Sequence, residues 1–314
     1  MKTKHTVLKL LALFILILSS CSSDPTIDNA TMLDGDQIFD ASIYNPQDFL
    51  VSLSIDNPTT IQKNTPVVIA THGYSASTFE WNEFRDYSDL NATILISQVL
   101  LGGHGRTYED FKNSTWKDWQ LPILNEYNAL KAKGYTNINF AGSSTACALM
   151  LDMIKNREIG DNEMKNIFLV DPIVIPSDKL MTIVGFVGPM LGYFEAENTA
   201  TEDNYWYHFR PQETVNELLD LITKVRKDLQ KGFSLPIGTN LKVYKSTKDD
   251  TADAVSAVLL YKGLKNSDGS NINIQMIDSD LHVVTRLEGR NTITQKDIDI
   301  QKQVFDDILM LVLQ

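Results

Sequence analysis

Residues 137–151 read NINFAGSSTACALML. Asn137-Ile-Asn-Phe-Ala141 is a short apolar run with the length of a strand, and from about Ala146 to Asn156 the apolar residues recur at helical spacing. Between the two lies Gly142-Ser143-Ser144-Thr145-Ala146. A serine centred in a strand-to-helix turn, with small residues on both sides, is the pattern of a nucleophile elbow. The sharp turn pushes the central side chain out beyond the sheet. Small neighbours let the backbone close up, and the helix start points N–H groups and a positive dipole end at any negative charge that develops there. Taken alone, the same five residues read equally well as a serine-rich helix cap. The rest of the chain has to decide.

Working outward, Val67–Thr71 is a short β-branched run, as expected of a strand buried on both faces, and it ends at His72-Gly73-Tyr74. Ala92–Ser97 is another, followed by LLGGHGRT (residues 100–107). Trp119–Lys133 has helical spacing and closes at Gly134, a helix-ending glycine. Asn166–Val170 is the next strand and runs into Asp171-Pro172. Residues 173–237 break the rhythm with the apolar, glycine-containing Val184–Phe194, an acidic aromatic stretch and a strong helix over Glu213–Lys231. The alternation then resumes: strand Leu241–Lys245, helix Ala252–Leu264, strand Asn271–Ile277 and an amphipathic helix over Gln295–Leu313. Upstream, Phe49–Ile55 also alternates like a strand. Strands alternating with helices predict an α/β fold, a mostly parallel central sheet with helices on both faces. The folded domain is expected over residues 37–314, with an insertion at about 173–237 between two strands of the one sheet.

A serine nucleophile needs a base, and in a fold of this kind the order is serine, acid, histidine. The chain has 5 histidines. His5, His72, His104 and His208 all precede the next candidate acids, and His282 alone follows them, just past the last expected strand. The acid is expected after the strand Leu241–Lys245, where Asp249, Asp250 and Asp253 follow in turn. Asp249 is the first choice and Asp250 its rival. The role is to accept the imidazole N–H and fix its tautomer. Acyl transfer through such a serine needs neither metal nor organic cofactor, and the histidines and cysteines show no metal-ligand spacing.

Residues 1–20 have a lysine-bearing start, an apolar run from Leu10 to Leu18 and then small residues. This is the layout of a secretory signal, too short for a stable transmembrane helix. Leu18-Ser19-Ser20-Cys21 resembles the lipobox of bacterial lipoproteins, which implies a mature end at an acylated Cys21 and a lipid anchor to membrane. The polar residues 21–36 then read as a tether. These features place the protein in a bacterial cell envelope, at the outer membrane or cell surface before the inner membrane. With Cys21 lipidated, Cys147 has no disulfide partner. The net charge of −12 argues against nucleic acid as a partner.

The chain as a whole resembles bacterial carboxylesterases and monoacylglycerol lipases of the α/β-hydrolase fold. The matching pieces are ATHGYSAST (70–78), LLGGHGRT, NFAGSSTACALML, YKSTKDDTAD (244–253) and IDSDLHVVTRLEG (277–289), in family order. The resemblance implies a Ser144, Asp249, His282 triad, an oxyanion hole from the backbone N–H groups of Tyr74 and Thr145, a site-shaping loop at Gly103-His104-Gly105, and a helical cap in the insertion. Ala146-Cys147 departs from it, since the family usually has two glycines there. The implied substrate is a small-molecule or lipid ester, monoacylglycerols among them. A peptidase, amidase or thioesterase of the same fold, or an inactive binding protein of the envelope, are the alternatives. Apolar Met181–Phe194, and Trp116, Trp119, Tyr205, Trp206 and Tyr207, fit either a substrate pocket or plain core.

Overall fold

Five largely buried strands build the centre of the molecule: β1 (Val67–Thr71), β2 (Leu95–Val99), β3 (Ile138–Ser143), β4 (Asn166–Val170) and β8 (Asn240–Ser246); β10 (Asn273–Ile277) lies beside β8 in the same sheet. The structure is a computed structural model that describes residues 24–26, 57–177 and 192–314. The expected signal, Cys21, the strand at 49–55 and residues 178–191 of the insertion lie outside the described residues. Of the expected tether only 24–26 are described, and there Asp24 pairs with Lys112 at 2.6 Å.

All six strands run parallel in the order β10-β8-β4-β3-β1-β2. Strand alternation explains why both faces must be covered. Val67 and Ile69 of β1 point into one core with Phe140, Ile167 and Leu169, whereas Val68 and Ala70 point into the other with Ala141, Phe168 and Tyr244. On the second face lie α2 (Asn82–Asn91) and α8 (Gln295–Val312). Helix α8 buries Val304, Phe305, Ile308, Leu309 and Val312, a single stripe at helical spacing. On the first face lie α4 (Trp116–Lys133), α5 (Thr145–Lys155), α6 (Gln212–Lys231) and α7 (Val255–Gly263). Short helices α1 (Thr60–Lys63) and α3 (Tyr108–Lys112) fill loops.

Helix α4 begins one turn earlier than its apolar pattern suggests, because Thr115 and Asp118 form a reciprocal capping box at its start. It ends, as expected, at Gly134 with φ 87°. Helix α2 carries no expectation from its sequence: it buries only Phe84 and Ser88, too few for a readable stripe. The insertion between β4 and β8 contains the hairpin β5 (Tyr193–Glu195) and β6 (Phe209–Pro211), then α6. Asp152, buried on α5, receives Lys224 of α6, and Lys117 and Gln120 of α4 at 3.1 and 3.0 Å, which ties the three helices together. Strands β7 (Phe233–Ser234) and β9 (Leu264–Lys265) make a separate short ladder.

Among the described residues the chain runs through β1, moves outward to β2, and then returns to the far side of β1 as β3. The connections leaving β1 and β3 therefore diverge at their carboxyl ends. In open α/β sheets this is where a crevice forms and ligands bind. His72-Gly73-Tyr74 and Ser144 sit at those two ends.

Candidate active site

Ser144 occupies the turn between β3 and α5 with φ 50° and ψ −111°. That conformation costs a non-glycine residue on the order of 1–3 kcal/mol, and the surroundings hold it in place. Its N–H donates to the Val170 carbonyl at 2.9 Å, and its carbonyl accepts from Cys147 N–H at 3.2 Å. The turn closes only because its neighbours are small. A Cβ on Gly142 would lie 2.5 Å from the Phe140 ring, and one on Gly73 would lie 3.0 Å from Ser144 Cβ. Ala146 and Cys147, the two departures from the family pattern, are fully buried. Cys147 Sγ sits 3.2 Å from the Gly142 carbonyl. Burial pushes its thiol pKa well above the ordinary value, so it is an inert packing group.

Three expected residues come together here. His282 Nε2 lies 2.9 Å from Ser144 Oγ, and His282 Nδ1 lies 2.8 Å from Asp249 Oδ2. The other Asp249 oxygen accepts the N–H groups of Thr251 and Ala252 at 2.8 and 3.0 Å. Nδ1 must donate to the carboxylate, so Nε2 of the neutral ring is left to accept from the serine. Burial opposes charge on His282, but the Asp249 carboxylate outweighs it through its field and hydrogen bond, and the pKa rises above 6.5. Burial likewise opposes charge on Asp249, and His282 and then Lys245 override it to hold the carboxyl well below its usual range. Asp250 is exposed at the rim of the crevice, and Asp253, just before α7, accepts the N–H of Val255 at 2.8 Å.

Tyr74 and Thr145 face the same crevice. Thr145 is the first residue of α5, so its N–H is one of those a helix leaves without an intrahelical partner. The backbone of Gly73 is fixed at both its carbonyl and its N–H. Leu101 N–H donates to His72 Nε2 at 3.0 Å, so His72 carries its proton on Nδ1 and donates it to the Gly73 carbonyl at 2.8 Å. Burial lowers the His72 pKa to about 4 and keeps this tautomer neutral. In a trans peptide the Tyr74 N–H then points the opposite way. Gly73 N–H is in turn held by the buried Glu80 Oε1 at 2.9 Å, which also accepts from Ser143 Oγ. His104 is buried edge-on against Tyr74, Phe111 and Trp119, and so packs against the Tyr74 ring.

A cavity of about 560 Å³ opens over Ser144 and His282. Val215, Leu218, Leu219 and Ile222 of α6, with Phe194 and Trp206, supply its apolar lining; Glu80, Glu202, Arg286 and Arg290 supply charged groups, Arg286 lying over the Trp206 ring at 4.5 Å. The described part of the insertion therefore roofs the site. Among the aromatic residues that fitted either role, Trp206 lines the cavity, whereas Trp119 and Tyr207 are core. Tyr205 stacks on Phe79 at 3.7 Å.

Several residues at the site carry no sequence signal. Asp171, with φ 46°, accepts from Ser246 N–H at 2.7 Å and Val283 N–H at 2.9 Å, and so holds the end of β8, which leads to Asp249, to the loop bearing His282. Arg290 donates through Nη2 to the His282 and Val283 carbonyls. Lys245 is wholly buried between Asp171 and Asp249. Asp171-Pro172 was visible as a strand end, but nothing local marks a buried lysine or an arginine that folds back eight residues.

No family model matches the chain. A carboxylesterase of Bacillus subtilis (strain 168) is 23% identical over 245 residues, covering 76% of this chain and 93% of that protein. Among solved structures, a soluble variant of the Saccharomyces cerevisiae monoglyceride lipase in complex with a substrate analogue superposes with a TM-score of 0.59 at 14% identity, over 82% of this chain and 88% of its own. A monoacylglycerol lipase of Paleococcus ferrophilus gives 0.58 at 11% identity, over 79% and 96%. One of two metagenome-derived lipolytic enzymes, LipS and LipT, gives 0.62 at 14%, over 79% and 94%.

Proposed function

We propose that this chain, which has the α/β-hydrolase fold, is a serine hydrolase that cleaves carboxylic esters through an acyl-enzyme on Ser144. The reading rests above all on one observation, the continuous hydrogen-bonded chain from Ser144 Oγ through the His282 ring to Asp249 beneath an apolar cavity. The likeness to the Bacillus carboxylesterase and the lipolytic folds favours esters over amides or thioesters.

In this mechanism His282 Nε2 takes the serine proton as Oγ attacks the ester carbonyl, and Asp249 stabilises the imidazolium. The N–H groups of Tyr74 and Thr145 receive the oxyanion. One such donor is worth about 2.7–4 kcal/mol in the transition state. Collapse of the intermediate breaks the bond to the alkoxy oxygen, which leaves as the alcohol with the proton from His282. Water then attacks the acyl-enzyme, His282 takes its proton and returns it to Ser144 Oγ, and the carboxylic acid departs. The apolar wall of α6 suits the acyl chain, and a monoacylglycerol is a candidate substrate. Acylation of Cys21 would tether the enzyme to an envelope membrane, the outer membrane or cell surface first.

A chain-length series of p-nitrophenyl esters, together with fluorophosphonate labelling, tests the reading. Turnover of acyl esters with labelling of Ser144 is expected. Labelling without ester turnover would move the assignment to a peptidase, amidase or thioesterase, and absence of both would make the protein a binder.

A further inference from the structure

The Lys245 side chain has no exposure, and the side chains of its two partners, Asp249 at 2.6 Å and Asp171 at 3.2 Å, have at most 1%. Burying three charges is costly unless each is paired and hydrogen-bonded. Here every one is. Asp249 is saturated by His282, Lys245 and two backbone N–H groups. Asp171 takes Lys245, Ser246 and the N–H groups of Val283 and Val284, at 2.9 and 3.3 Å. The acid expected to serve His282 therefore gives one and the same oxygen, Oδ2, to the histidine and to a lysine. A serine, histidine and acid need no such lysine for proton transfer.

We propose that Lys245 is a positioning residue for the ester hydrolysis inferred above: clamped by Asp171, it balances the two buried carboxylates and so sets how strongly Asp249 acts on His282. The charges close simply. Two carboxylates and one ammonium leave a net single negative charge beside a neutral His282, and formation of the imidazolium brings the group to zero. Without Lys245 the same pocket holds two uncompensated carboxylates, and the imidazolium becomes too stable to give its proton up. Without Asp171 the lysine's field is unopposed and the imidazolium is disfavoured. The remaining groups around His282 stay as they are in both cases. They are Ser144 at the elbow, Arg286 and Arg290 from the following loop, and Glu80, Glu202 and Asp250 around the cavity.

The test compares Lys245→Met, Asp171→Asn and the double variant of the intact chain. The His282 ring is titrated by NMR, with His282→Gln identifying its signal, and kcat/KM for a p-nitrophenyl ester is followed against pH. Met keeps the aliphatic stem and Asn keeps an acceptor for Ser246 or Val283 N–H. Lys245→Met is expected to move the His282 titration up by about one unit or more, Asp171→Asn to move it down, and the double variant to return towards wild type. A double variant whose kcat/KM falls by the product of the two single losses, or single variants whose titration stays at the wild-type position, would overturn the charge-balance role. Should Lys245→Met not fold, Asp171→Asn and the double variant still carry opposite expectations. The NMR titration does not depend on turnover. A wild-type protein inert to esters therefore sinks the hydrolase reading and leaves the charge balance to be decided separately.

Discussion

His282 Nε2 stands 2.9 Å from Ser144 Oγ although 138 residues separate them in the chain. Each is held by strained backbone: Ser144 has φ 50°, and Val283, the β-branched residue after the histidine, has φ 64°. Strain of this kind survives only where the surroundings over-determine it, here through Val170, Asp171 and Arg290. If this contact is the nucleophile and its base, Ser144→Ala lowers kcat by a factor on the order of 10⁴ or more. The far-UV circular dichroism and Tm should stay near wild type, because the buried neighbours Gly142 and Ala146 are untouched. Substantial residual turnover would disprove the role.

The two adjacent acids give opposite expectations. Asp249→Asn keeps the shape but presents an amide to His282 Nδ1 and favours the wrong tautomer, so kcat should fall by about 10⁴. Asp250→Asn, on an exposed residue at the rim, should change kcat by less than about tenfold. Parallel kinetics on the two variants distinguish them, and equal losses would reject Asp249 as the acid.

A protonated His282 cannot take the serine proton. Because Asp249 raises the imidazole pKa, kcat/KM should climb with pH through a midpoint above 6.5, and a midpoint at or below 6.5 would contradict the geometry. Stability follows the same linkage. The raised histidine pKa adds stability fully present below 6.5 and lost as pH rises through the folded value. The depressed Asp249 pKa adds stability present above 3.8 and lost as pH falls. Urea midpoints of wild type and Asp249→Asn should therefore converge towards acid pH.

Glu80 touches no reacting atom in the proposed chemistry, yet its carboxylate holds Gly73 N–H and Ser143 Oγ. Glu80→Ala frees the His72–Gly73 peptide, whose N–H it holds, and so loosens the turn that aims the adjoining Tyr74 N–H at the cavity. A loss of kcat of about 10²-fold with little change in KM is expected, as for a missing oxyanion donor. Glu80→Gln, which retains an acceptor for Gly73 N–H, should recover part of it. A change confined to KM would show that Glu80 meets substrate instead.

The anchor has its own check. Cys21→Ser protein should appear in the soluble fraction of cells in which the wild type sediments with membranes. Continued sedimentation of the variant would dismiss the lipid anchor.

The sequence alone determined which segments alternate as strand and helix, because burial on both faces demands unbroken apolar runs such as Val67–Thr71 and Asn166–Val170, whose bounds are the same in the structure. It also located the serine turn, since a sharp strand-to-helix corner tolerates only small flanking residues, and it singled out His282 by its place in chain order. Helix α2 escaped it because that helix buries too little apolar surface to leave a stripe. The choice between Asp249 and Asp250 waited for three dimensions. Both follow the same strand, and only the fold turns one inward to His282 and Lys245 and the other to solvent. The Asp171–Lys245–Asp249 cluster and the Glu80 support belong wholly to the tertiary structure. Apart from the close pairs Lys245–Asp249 and Gly73–Glu80, 4 and 7 residues apart, these contacts join positions 63 to 113 residues apart, and a charged side chain reads as surface until the fold shows what it is buried against.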